Sequence, residues 1–147
     1  MSASSPINVL CNLAEQKLND TTTRLGRARQ KHADESDRLT QLQDYEHEYR
    51  RRLQDNIAEK GVSVVTLQTY QGFIGALGRV VAQQAHEVSA RRNAVEDTLS
   101  VWQKDRQRLK AFETLKQRAD EQRELKENRQ EQKMMDEFAR RASQRKA

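Results

Sequence analysis

The chain has a single cysteine, Cys11, among 147 residues, so no disulfide can form within it. That usage suits a reducing cytoplasm. One proline and five glycines leave little material for turns. Nowhere do eighteen apolar residues run together, which excludes a membrane-spanning helix. Residues 1–8 carry neither a positive charge nor an apolar run and do not read as a secretory signal. The spacings of metal and phosphate chemistry are missing too. There is no CxxC and no HExxH, and His32, His47 and His86 lie far apart. The glycines Gly72, Gly75 and Gly78 are followed by no Gly-Lys-Ser/Thr. The sequence therefore offers no metal site, no cofactor and no catalytic residue, and the expectation is a protein that is not an enzyme.

What the chain does have is charge and periodicity. It is 35% hydrophobic and 33% charged, too polar for an ordinary globular core and suited to a pair of long helices. Leu67, Ile74, Val81, Val88, Val95, Trp102 and Leu109 stand seven apart without a break. Such a heptad ladder forms a straight apolar seam on a slightly underwound helix and wants a partner helix. A weaker ladder precedes it: Cys11, Leu18, Leu25, His32, Leu39, Glu46 and Leu53. Two seams and one break indicate an all-α fold, a long antiparallel two-helix coiled-coil hairpin. It would be one domain, without the concave pocket that an active site needs. The formal net charge of +5 raises nucleic acid as a partner. The signs are mixed, however, and Glu121, Glu124, Glu127 and Glu131 interleave with the bases, so no nucleic acid is expected.

Local signals mark the ends. Ser5-Pro6 is a helix start: serine accepts a free backbone N–H and proline fits the first helical position. Helix one should reach about Ile57, with Gly61 as its terminator, a turn over about 58–63 and a second start at Ser63. In an antiparallel pair turning at Gly61, facing residue numbers should sum to about 123. Leu53 then faces Tyr70, Leu25 faces Thr98 and Cys11 faces Phe112. Ile7 would face Lys116, so helix two should be paired over about 64–115 and overhang, without a seam, over 116–147. Met134, Met135 and Phe138 return apolar character to that arm.

Polar residues interrupt the seam at His32, Glu35 and Arg91, where a Glu35–Arg91 ion pair would set the register. Glu46, opposite Leu77, should reach out to water. Tyr45, Phe73 and Val80 lie at g positions, one step outside the seam, and with Leu42, Tyr49 and Leu77 form an apolar patch larger than two helices need. Cys11, at a seam position, reads as a small buried hydrophobe.

Three motifs in order carry a family resemblance. They are Leu13-Ala14-Glu15; Asp44-Tyr45-x-x-Glu48-Tyr49-Arg50-x-x-Leu53 with Tyr70-Gln71-x-Phe73-Ile74 after the turn; and Asn128-Arg129-x-x-Gln132-Lys133-x-Met135-Asp136-Glu137-Phe138-Ala139-x-Arg141-Ala142. Together they resemble the flagellar type III export protein FliJ, over nearly the whole chain. Gly72, where a larger polar residue is expected, and the extra glycines Gly75 and Gly78 depart from that pattern. The resemblance implies a cytoplasmic component of the flagellar export apparatus, peripherally associated with the inner-membrane machinery through protein contacts. It further implies a stalk that sits in the hexameric export ATPase ring, promotes its assembly and activity, and escorts export chaperones. On this chain Arg38, Leu42, Tyr45, Tyr49, Phe73 and Leu77 would bind the cytoplasmic domain of the export gate. Leu10, Leu13, Met135, Asp136, Glu137 and Phe138 would bind the ATPase ring. The alternatives are the equivalent stalk of a virulence type III secretion system and a generic coiled-coil adaptor.

Overall fold

A computed structural model describes residues 5–146; residues 1–4, part of the stretch read above as no secretory signal, and residue 147, the end of the arm, lie outside the described residues. The fold is all-α, a helical hairpin of α1 (Pro6–Lys60) and α2 (Val64–Lys146), with no strand among the described residues.

The helix ends follow from capping chemistry. Ser5 Oγ accepts the Asn8 N–H at 3.3 Å and the Ser5 carbonyl accepts the Val9 N–H at 3.2 Å. Pro6 then fills a position where its missing N–H costs nothing. α1 runs three residues past Ile57 to Lys60, whose charge suits the negative end of the helix. Gly61 follows with φ 67°, the left-handed conformation that ends helices and that an L side chain adopts only with strain. Ser63 opens α2: its Oγ accepts the Thr66 N–H at 3.2 Å, and its carbonyl accepts the Leu67 N–H at 2.9 Å.

The chain divides into two compact units. The unit spanning Asp20–Gln103 holds the turn and most of the seam. Its heptad a and d rows are buried or half-buried throughout, on α1 from Thr21 to Leu53 and on α2 from Leu67 to Trp102. Leu25, Leu77 and Val88 are its most covered apolar side chains. Cross-helix contacts follow the expected register. Trp102 Nε1 donates to Thr22 Oγ1 at 2.9 Å, and the Phe73 ring lies 4.5 Å from that of Tyr49; both partners are one residue from the assigned position. In the other unit, Met1–Asn19 with Lys104–Ala147, Cys11 and Ala14 are buried, and Leu18, Leu109 and Phe112 are half-buried. Lys17 meets Asp105 at 3.8 Å, again one residue from the register.

Beyond Phe112 no a or d position of α2 is covered, although Ser5, Ile7 and Asn8 at the start of α1 line a groove with Lys116, Ala119, Asp120 and Arg123. Every residue from 113 to 145 is exposed. This stretch of α2 is laced instead by pairs within the helix: Arg123 with Asp120, Gln117 with Glu121 at 3.3 Å and Arg141 with Glu137 at 3.1 Å. Such pairs each stabilise a single helix by a few tenths of a kcal/mol, roughly 0.2–0.5.

Candidate docking surfaces

The first surface lies in the Asp20–Gln103 unit. Tyr45 and Tyr49 are one turn apart on α1, and Tyr70 and Phe73 one turn apart on α2, so each pair shares a helix face. Tyr49 is the hub. Its ring centroid lies 5.2 Å from Tyr45, 6.4 Å from Tyr70 and 4.5 Å from Phe73, all tilted. Tilted packing at these distances is the favourable geometry for aromatic quadrupoles. A shallow groove of about 230 Å³ opens between Tyr49, Tyr70, Phe73, Thr66 and Thr69.

The six residues assigned to this surface from sequence differ in what they present. Tyr45 (46% exposed), Phe73 (42%) and Arg38 face solvent, while Leu42 and Tyr49 are half-buried. Leu77 is buried in the seam at 8%, so it supports the patch from beneath. Arg38 stands 3.6 Å from Glu35 on its own helix. Tyr70 belongs to the cluster but not to the sequence set. Its d position assigned it to the seam opposite Leu53, one turn from Tyr49, whose ring it meets.

The polar interruptions are arranged differently from the pairing read in the sequence. Glu35 does not meet Arg91. Gln84 Nε2 donates to Glu35 Oε2 at 2.6 Å and to the Glu35 carbonyl at 3.0 Å. Arg91 Nε donates to Glu87 Oε1 at 3.1 Å, one turn back on its own helix. A local i,i+4 carboxylate captures the guanidinium, and Glu35 takes the amide left opposite it. His32 Nε2 is buried with no partner among the described residues. Glu46 is held against its helix by Arg50 at 3.1 Å and is mostly covered, rather than reaching out to water. The most buried polar side chains of the seam are ones the apolar ladders do not mark: Thr21 at 2% and Asp105 at 5% exposure.

Two separate exposed apolar clusters, one on α1 and one on α2, belong to the other unit. Leu10 (42% exposed) and Leu13 (57%) lie three apart on one face of α1, with Val9 (47%) beside them. On α2, Met135 (71%) and Phe138 (76%) lie three apart, next to Met134 (72%). Asp136 accepts a bond from Gln132 and Glu137 one from Arg141, so the two acids are occupied within the helix. Val9 was missed in the sequence; its i,i+4 relation to Leu13 was the available signal. Among the described residues there is no cluster of side chains that could hold a metal ion, and no helix is long and apolar enough to cross a membrane.

Two long helices packed along heptad seams, with large apolar side chains left exposed on both units, define a class: the helical coiled-coil hairpins. The comparisons with known proteins say which. The family model of the flagellar FliJ protein matches residues 3–147. The chain is 34% identical to the flagellar FliJ protein of Escherichia coli (strain K12) over 146 residues, covering 99% of both chains. It is equally 34% identical to the flagellar FliJ protein of Salmonella typhi over 146 residues, with the same coverage. The chain therefore belongs to the flagellar FliJ family, and with it to the components of the flagellar export apparatus that serves motility.

Proposed function

We propose that this protein is a non-enzymatic adaptor of flagellar type III export, acting as a stalk for the export ATPase and as its link to the export gate. The unit formed by the two terminal regions engages the hexameric ATPase ring through Leu10, Leu13 and the stretch from Met135 to Phe138, and promotes ring assembly and hydrolysis. The aromatic patch around Tyr45, Tyr49 and Phe73 receives the cytoplasmic domain of the gate. Export chaperones are escorted through the same assembly. Its attachment to the inner membrane is peripheral and rests on these protein contacts.

The observation that carries this reading is the exposure of large apolar side chains where the chain's own packing leaves them uncovered. Tyr45 and Phe73 are more than two-fifths exposed, and Met134, Met135 and Phe138 more than seven-tenths. Apolar groups held at a surface in this way mark sites of association. The test is gate binding by Tyr45→Ala with Phe73→Ala, with circular dichroism alongside. The adaptor reading expects binding to fall about tenfold or more, an ordinary result for two interface aromatics, with helicity preserved. Unchanged binding with preserved helicity would remove the gate from this patch.

A further inference from the structure

A second feature of the Asp20–Gln103 unit is chemically unlike the aromatic patch. From Arg24 to Lys31, α1 carries four cations (Arg24, Arg27, Arg29 and Lys31) and no acid. Three of them, Arg24, Arg27 and Lys31, line a groove of about 230 Å³ together with Arg91, Ala94 and Thr98 of α2. No carboxylate lines it. Arg91 has Glu87 as a partner through Nε. Arg24, Arg27 and Lys31 are exposed and make no ion pair among the described residues, whereas Arg38, Arg50 and Arg52 further along α1 each pair with a glutamate one turn back. Four like charges around one groove repel one another, and an incoming anion relieves that repulsion.

We infer that this groove docks an acidic helical segment of a protein partner. The geometry favours a helix. Arg24 and Lys31 are seven residues apart, about 10.5 Å along α1. Carboxylates at i and i+7 of a second helix match that spacing, with one at i+3 or i+4 for Arg27 between them. Alanines Ala28 and Ala94 line the groove and let a backbone come close. The cationic stretch is also short. Asp20 lies before it and Asp34 and Glu35 after it, so it offers no extended track for the many phosphates that nucleic-acid affinity requires. The inference does not depend on the gate assignment of the aromatic patch.

The test uses the full-length protein, isotope-labelled and titrated in about 50 mM salt with a helical peptide carrying glutamates at i, i+3, i+4 and i+7 on one face. Amide shifts should concentrate on residues 24–31 and 91–98. Arg24→Gln with Arg27→Gln and Lys31→Gln should weaken binding about tenfold or more, as expected on removing three charges from one contact. The equal charge loss of Arg51→Gln with Arg118→Gln and Arg129→Gln should weaken it less than about twofold. Equal weakening by both triples, shifts spread over all basic segments, or no binding would overturn the proposal. Tighter binding of a short DNA duplex to the same residues would overturn it in favour of nucleic acid.

Discussion

Tyr49 and Tyr45 are neighbours with opposite duties. Tyr49 touches three rings and is half-buried, so Tyr49→Ala should destabilise the fold by about 2–3 kcal/mol in urea denaturation, somewhat below the cost of truncating a fully buried aromatic. Tyr45 touches one ring and is 46% exposed, so Tyr45→Ala should cost less than about 1 kcal/mol. Equal costs would make Tyr45 part of the core. The glycines of α2 make a complementary case. A Cβ added at Gly72 or Gly78 would meet nothing within 4 Å, so neither glycine is required by packing within the chain. Gly72→Ala and Gly78→Ala should each stabilise by about 0.5–1 kcal/mol; a loss in thermal denaturation would show that these positions need glycine. Residue-scale detail was only partly legible in the sequence. Gln84 and Asp105 occupy d positions three residues after Val81 and Trp102, yet an apolar ladder draws attention to the a row and hides its polar neighbours. Glu35 could also reach two polar residues on α2, one turn to either side, and side-chain rotamers rather than spacing decide which one it meets.

Helices and turns were far more legible, because their signals are local. Ser5-Pro6, Gly61 and Ser63 marked the boundaries through hydrogen bonds and a backbone angle that each residue type supplies by itself. Gly61→Ala should cost about 1–2 kcal/mol, the penalty of a Cβ in the left-handed region, and Ser63→Ala about 1 kcal/mol through the lost cap. Denaturation midpoints measure both. The register was legible for a different reason: one turn, two seven-residue ladders and antiparallel geometry leave few alignments, and Trp102, Asp105 and Phe73 each meet a partner within one residue of the assigned one. The exposure of α2 beyond Phe112 accords with the change from Leu109 and Phe112 to Lys116, Ala119 and Arg123 on the same rows. Its outer part is exposed throughout the described residues, so removing residues 125–147 should move the melting temperature by less than about 2 °C while lowering the helical signal in proportion to length. A larger drop would mean that the arm contributes to the fold.

At the scale of the whole molecule, few side chains are buried and large apolar groups stand exposed on both units, the surfaces that the adaptor role proposed above would use. Membership of the flagellar FliJ family favours the flagellar reading over that of a virulence secretion system. The direct test of the adaptor role is the hydrolysis rate and oligomer size of the purified export ATPase, alone, with this protein, and with the form lacking residues 125–147. An adaptor that acts through its terminal regions raises hydrolysis and shifts the ATPase toward hexamers, and the truncated form loses most of that effect while remaining folded. Hydrolysis and oligomer size that stay the same with the intact protein would contradict the stalk role.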